Sequence, residues 1–225
     1  MTALNPDTHH RRSVRLRDYD YAQAGVYFVT INTRQRECFF GEAEDGDMQL
    51  NDMGIIAKAC WEGIDQHCMN VILDAFVIMP NHVHGVLVNV GAQHAAPLQS
   101  YQPTPGSLGA IIRSYKSAVT KNINQRLGTP GAPIWQRSYY EHIIRDESEL
   151  RQIRAYIKQN PARWAEDEYH PDYDGKPLRA RHASPLQAPK KQGTRTSAFG
   201  SPGRISHDAA AFYAGWLYEN YMRKN

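Results

Sequence analysis

Two histidines separated by one residue, His82 and His84, have the types and spacing that could hold a metal ion. They follow a Pro-Asn turn and begin a run rich in β-branched residues, which is typical of a strand. Residues two apart on a strand point to the same face, so both imidazoles could share one ion. A His-x-His-x-His hydrolase would need a third histidine, but position 86 is Val86. The pair predicts an incomplete metal site, and two ordinary histidines are the alternative.

A predicted helix over 147–160 supplies the second group. Tyr156 and Asn160 are four residues apart, so they lie on one side of that helix, beside the apolar stripe formed by Leu150, Ile153 and Ile157. We expect both to face the sheet edge rather than water. A tyrosine near a metal-bound phosphate can act as a nucleophile, and an amide oxygen can be a third ligand. Gln159 is a less well-aligned substitute, and a packed aromatic with a helix cap is the alternative for this motif alone.

The elements that must position these side chains follow from hydrophobic periodicity and caps. Strands are predicted over 26–31, 71–79, 83–90 and 139–145, and helices over 53–67, from 107 towards 127, and over 147–160. Residues 36–50 suit a small hairpin, and Asn51 or Asp52, Ser107 and Asp146 suit N-caps. The order β-α-β-β-α-β-α predicts an α+β, ferredoxin-like or RRM-like antiparallel sheet with helices on one face.

The chain divides in composition near residue 164. Residues 1–164 carry the predicted elements, with a Gly- and Pro-rich loop at 91–106. Residues 165–225 are predicted to be a flexible basic tail, and 207–222 could form a terminal amphipathic helix.

Bulk composition sets the broad class. The 225 residues carry a net charge of +3, and neither an apolar membrane-spanning run nor a signal-peptide core is visible, so we expect a cytoplasmic protein. The three cysteines, Cys38, Cys60 and Cys68, form no Cys-x-x-Cys pair and are predicted to be free thiols. Basic residues crowd the N-terminus and the tail, which permits nucleic-acid binding.

Five segments together resemble the REP-associated tyrosine transposases, relatives of the single-tyrosine HUH transposases of small insertion sequences. The segments are residues 12–21, 25–30, 79–85, 137–145 and 156–161, in the family's order. The insertion-sequence relatives usually have Gln at the position of Asn160, so Asn there points to the REP-associated branch. The resemblance covers residues 11–164.

The resemblance implies an enzyme that cleaves and rejoins single-stranded hairpin DNA with an HUH endonuclease fold. His82, His84 and Asn160 would hold Mg²⁺ or Mn²⁺, and Tyr156 would form a 5′-phosphotyrosine. The protein would act as a monomer or a homodimer. Candidates for the base that helps Tyr156 are Asn81, Glu141 and His142. Candidates for contacts to the DNA backbone are Arg11, Arg12, Arg15, Arg17, Arg113 and Lys116.

Three other functions stay open. A non-catalytic hairpin-binding protein would need none of His82, His84, Tyr156 and Asn160. An RRM-like RNA-binding module would place aromatic residues on the central strands, but residues 83–90 contain none. A metal-dependent phosphodiesterase that uses water would not need Tyr156.

Overall fold

The computed structural model describes residues 20–90 and 106–173. The four N-terminal arginines, most of the 91–106 loop and the predicted terminal helix lie outside these residues. The six strands are β1 (Gly25–Asn32), β2 (Gly41–Glu44), β3 (Asp47–Leu50), β4 (Val71–Ile78), β5 (His82–Asn89) and β6 (Tyr140–Ile144). The helices are α1 (Asp52–Glu62), α2 (Ile64–His67), α3 (Leu108–Leu127) and α4 (Glu147–Gln159), with 3-10 segments at Arg34–Arg36 and Pro161–Glu166.

Four strands form one antiparallel sheet in the order β4-β5-β1-β6, and β2 pairs with β3 in a separate hairpin. The chain passes from β1 through α1 and α2 to β4, and from β5 through α3 to β6. Each connection skips the strand between its two ends, which is the split β-α-β arrangement of the ferredoxin-like fold. The predicted fold class is therefore confirmed, and so is the small hairpin.

Helices α1 and α3 cover one face of this sheet, as predicted. Trp61 of α1 and Tyr115 of α3 pack edge to face, with ring centroids 5.2 Å apart. They join a buried cluster with Tyr27, Val29 and Leu87 from the two central strands. Gly85 of β5 leaves the space into which the Trp61 indole fits, because a Cβ at that position would lie 2.1 Å from the ring.

Helix α4 packs on the opposite face of the sheet. Its apolar stripe, Leu150, Ile153 and Ile157, forms a second buried cluster with strand residues of the other alternation, including Phe28 and Val86. Helices α1 and α3 therefore share one face of the sheet, and α4 covers the other face. Tyr156 and Asn160 consequently approach the face of the sheet rather than its edge.

Caps set the helix boundaries where the sequence places them. The Asn51 side chain accepts hydrogen bonds from the backbone N–H of Met53 and Gly54, and Asp146 accepts from Glu149. The predicted helix over 53–67 is interrupted at Gly63, so α1 and α2 are separate. Within the described ranges, no helix is long and apolar enough to span a bilayer.

Candidate metal centre and nucleophile

The two histidines of β5 lie side by side on the face that α4 covers. Their ring centroids are 4.4 Å apart, and Val83 between them points into the other core. His82 is 0% and His84 1% exposed, so neither is a surface residue. The period-two alternation of a strand is sufficient to place them together.

Hydrogen bonds at Nδ1 orient both rings. The Nδ1 of His82 is 2.9 Å from the side-chain oxygen of Asn81, and the Nδ1 of His84 is 2.9 Å from the hydroxyl of Thr30. An amide oxygen only accepts, so His82 must carry its proton on Nδ1 and keep a lone pair on Nε2. Partners of this kind fix the tautomer and orientation of metal-binding histidines.

Asn81 is itself held at three points. Its Nδ2 donates to the carbonyl oxygen of Arg36 at 3.0 Å and to that of Tyr169 at 2.6 Å. The oxygen end of the amide is therefore directed at His82. Asn81 was one candidate for the base, but its amide has no basic lone pair at neutral pH, and its contacts instead orient His82.

The Asn81→Ala variant is expected to bind Mn²⁺ about 10- to 100-fold more weakly, because His82 loses the partner that fixes its tautomer. Isothermal titration calorimetry with the metal alone would measure this. Asn70→Ala is the matched control, since Asn70 also bridges two segments but lies away from the histidines. Equal affinities in the two variants would contradict the orienting role.

Tyr156 reaches the histidines from α4. Its hydroxyl is 3.2 Å from the Nε2 of His84, and its ring meets Phe28 edge to face at 6.2 Å. One turn later, Asn160 is 2% exposed. The structure thus brings together His82, His84, Tyr156 and Asn160, whereas Gln159 is exposed.

Two atoms in this group are buried without a hydrogen-bond partner among the described residues. They are the Nε2 of His82 and the side-chain oxygen of Asn160. Both atoms offer a lone pair and no proton, so they cannot hydrogen-bond to each other, although the Asn160 amide lies next to His82. Buried acceptors without a partner are rare in folded proteins, and these two have the lone pairs with which a cation could be bound.

Asp167 is the site residue that the sequence did not predict. His82, His84 and Asp167 each offer a ligand atom, and these atoms lie within 4.8 Å of one another. The Asp167 carboxylate accepts a hydrogen bond from Asn160 Nδ2 at 3.2 Å and one from the backbone of Tyr169 at 2.8 Å. Residues 165–173, assigned to the tail from the sequence, therefore fold over the site. For residues 174–225 the tail stays a prediction.

Burial dominates the titration of the site. It lowers the pKa of His84 to about 3 and that of His82 well below its usual range. Both rings are therefore neutral at pH 7, which is the metal-binding form. Burial, followed by the nearby Asp167 carboxylate, raises the pKa of Tyr156 well above 10, so the phenol is protonated.

The metal-free protein should lose stability as the pH falls from 7.5 to 5.5. Unfolding returns His82 and His84 to a pKa near 6.5, so the unfolded state binds more protons in this window. Each histidine makes the slope approach about 1.4 kcal/mol per pH unit once the unfolded chain is protonated. Urea midpoints at both pH values would measure it. His67→Gln, which removes an exposed histidine, should keep the slope, whereas a flat profile for the wild type would contradict the burial argument.

The two remaining candidates for the base, His142 and Glu141, lie on opposite faces of β6. His142 Nε2 is 2.6 Å from a Glu149 carboxylate oxygen at the start of α4. Glu141 pairs in register with Val29 and so belongs to the face covered by α1 and α3, away from the histidines. None of the three candidates, Asn81, Glu141 and His142, is placed to act as a base for Tyr156.

The two described candidates for DNA contacts lie on α3. Arg113 is exposed and lines a groove of about 860 Å³, together with Lys121 and Thr120. Lys116 is half-buried, and its ammonium group donates to the carbonyl oxygens of Gln136, Arg137 and Ser138. Burial lowers the pKa of Lys116 to about 8. Lys116 therefore ties α3 to the segment before β6, and Arg113 is the better placed of the two for a phosphate.

Comparison with known proteins gives one close relative. No family model matches the chain. A protein of Haemophilus influenzae, itself uncharacterized, is 41% identical over an alignment of 180 residues that covers 76% of this chain and 99% of the relative. The chain belongs to the same family as this Haemophilus protein. The alignment therefore covers nearly all of the Haemophilus protein.

Solved structures with a related arrangement are more distant from this family. A REP-associated tyrosine transposase bound to a REP hairpin is 20% identical with a TM-score of 0.44, covering 68% of this chain and 74% of its own. A candidate transposase from Deinococcus radiodurans is 20% identical with a TM-score of 0.38, covering 64% and 95%.

Proposed function

We propose that the protein is a transposase-like DNA strand transferase that cuts and rejoins single-stranded DNA through Tyr156. The observation that carries the proposal is the position of the Tyr156 hydroxyl, 3.2 Å from His84 Nε2 in a buried group of metal-type donors. Binding alone would not require a protonated phenol to be buried beside two neutral histidines.

His82, His84 and Asp167 would hold the metal, with the Asn160 oxygen as a further donor. The orphaned atoms of His82 and Asn160 fit a cation, because both are lone-pair donors in a site without an internal partner. Imidazole nitrogens with two hard oxygens suit Mn²⁺, and Mg²⁺ is compatible with the oxygen donors. When bound, a divalent ion supplies Lewis-acid polarisation of a phosphoryl oxygen.

The proposed reaction is a displacement at phosphorus by Tyr156. The Tyr156 oxygen attacks phosphorus as the bond from phosphorus to the 3′ oxygen breaks, and the electron pair stays on that oxygen. The phenol proton passes to solvent, and the product is a 5′-phosphotyrosine with a free 3′ end. Reversal by a different 3′-hydroxyl rejoins the strands without ATP, because the phosphotyrosine keeps the energy of the broken bond.

The proposed substrate is a single-stranded DNA hairpin. Support comes from the sequence resemblance. Arg113 and Lys121 line a groove on α3, which covers the sheet face opposite the histidines, so they would contact parts of the hairpin away from the scissile phosphate. The related REP-associated transposase was solved with a REP hairpin. Backbone contacts of this kind give affinity that falls steeply with salt.

A covalent-adduct assay tests the proposal. Full-length protein would be mixed with hairpin oligonucleotides from the flanks of its gene, labelled separately at the 5′ and 3′ ends, with Mn²⁺, Mg²⁺ or EDTA. We expect a metal-dependent protein–DNA adduct that carries only the fragment 3′ to the cut. Cutting without an adduct would indicate a phosphodiesterase that uses water. Hairpin binding without cutting in any metal would indicate a non-catalytic DNA-binding protein.

A further inference from the structure

The turn after β1 has a strained backbone. Gln35 and Arg36 are consecutive residues with positive φ angles of 57° and 59°, and neither is glycine. Left-handed conformations cost free energy in residues with a Cβ, and they cluster at functional sites where surrounding contacts maintain them.

The turn ties Arg36 to the site at two points. The backbone carbonyl of Arg36 accepts from the same Asn81 amide that orients His82. The guanidinium lies over the ring of Tyr169, 4.7 Å from its centroid, and donates to the carbonyl oxygen of Glu168 at 3.0 Å. The Tyr169 ring in turn lies 4.7 Å from the His82 ring. Arg36 is thus fixed beside the metal-type donors although its own side chain is exposed.

Arg36 lies where negative charges of the site and of the substrate would come together. Asp167 and Glu168 are negative, and a phosphodiester adds a further negative charge. Arg36 is the nearby cation, although burial still holds the pKa of Asp167 and of Tyr169 above their ordinary ranges. In the described part of the chain it forms no ion pair with a carboxylate, and a guanidinium has five N–H donors in a planar fork suited to phosphate.

Tyr156 and Arg36 reach the histidine pair through different ring contacts. The Tyr156 ring packs on His84, at 5.2 Å, whereas the Tyr169 ring beneath Arg36 packs on His82. In an in-line displacement the attacking and leaving oxygens lie on opposite sides of phosphorus. We propose that Arg36 is a catalytic residue that binds the scissile phosphate on its leaving-group side and stabilises the charge that develops on the 3′ oxygen. This inference rests on the proposed strand transfer.

The step that Arg36 assists is the bond breaking. The bond between Tyr156 and phosphorus forms, the bond from phosphorus to the 3′ oxygen breaks, and its electron pair moves to that oxygen. Arg36 remains protonated and only donates hydrogen bonds, while the 3′ oxygen takes its proton from solvent. A donor aimed at developing charge strengthens its interaction in the transition state rather than in the bound substrate.

Single-turnover adduct formation in Mn²⁺ tests the role with a matched control. Arg36→Ala should be slower than the wild type by about 100-fold, the size seen for loss of one preorganised donor. Arg36→Lys should recover part of the rate, since the charge is kept without the planar fork. Arg34→Ala removes an equally exposed arginine from the same turn and should change the rate by less than about threefold, because it alters only the long-range field.

Two further readouts separate catalysis from folding or binding. With a 3′-bridging phosphorothiolate, whose sulfur needs less stabilisation as it leaves, the defect of Arg36→Ala should shrink to about fivefold or less. Hairpin affinity in EDTA should agree within about threefold between Arg36→Ala and Arg34→Ala. An undiminished defect with sulfur, or an affinity loss as large as the rate loss, would overturn the inference while the proposed function stands. A wild type that forms no adduct on any hairpin would overturn both.

Discussion

Replacing Tyr156 with phenylalanine is expected to abolish the covalent protein–DNA adduct, with a loss of at least about 1,000-fold in cleavage, because the change removes the oxygen proposed to attack phosphorus. The change removes one oxygen atom and keeps the ring that packs against Phe28 and His84. The fold should therefore be retained, with a urea midpoint close to that of the wild type. Denaturing gels with labelled hairpin DNA would measure the adduct.

Metal binding gives this variant its internal control. The ligand atoms of His82, His84 and Asp167 are untouched, so the affinity for Mn²⁺ should stay within a few-fold of the wild type. Tyr169→Phe is the matched variant, since it removes the hydroxyl of another tyrosine near the histidines while leaving Tyr156 in place. Full adduct formation by Tyr156→Phe would falsify the assignment of the nucleophile.

The second large effect concerns the sheet that holds the histidines. Gly85→Ala should destabilise the protein by about 3 kcal/mol, towards the upper end of overpacking in a filled core. The new Cβ would lie 2.1 Å and 2.5 Å from two atoms of the Trp61 ring. That ring is held between Phe76 and Tyr115, so it cannot move aside. Urea denaturation would measure the loss.

A smaller residue at position 61 should relieve this clash. Trp61→Leu alone leaves a cavity and is destabilising, but the double variant with Gly85→Ala should be more stable than the sum of the two losses predicts. Gly63→Ala is the control, because its Cβ would meet only ordinary contacts at 3.4 Å or more. Additive losses in the double variant would contradict direct contact. Because Gly85 follows His84, displacement of β5 should also weaken Mn²⁺ binding.

Local pattern determined much of this protein. The period of two on β5 puts His82 and His84 on one face, and the spacing of four on α4 puts Tyr156 beside Asn160. The N-caps at Asn51 and Asp146 and the order of elements, hence the ferredoxin-like sheet, follow from the same short-range signals. These features depend on the geometry of single elements, which the sequence encodes within a few residues.

Other features depend on which distant segments meet. Asp167 lies in a stretch that has no periodicity of its own, and it becomes a candidate ligand only because residues 165–173 fold back over β5. Lys116 resembles a free basic residue until its ammonium group is seen bound to the 136–138 carbonyls. Only tertiary contacts decide such cases, since they set which charges are satisfied within the protein.

The position of α4 shows the same division. Its amphipathic pattern predicts a buried stripe but not the face of the sheet that the stripe covers. That face is chosen because α1 and α3 already fill the Gly85 side, leaving Phe28 and Val86 to be covered by Leu150, Ile153 and Ile157. The sequence by itself indicated His82, His84, Tyr156 and Asn160 as the residues that could perform the chemistry, but not Asp167. The tertiary structure decided that they meet, because burial of two separate apolar faces of one sheet brings α4 onto the histidines.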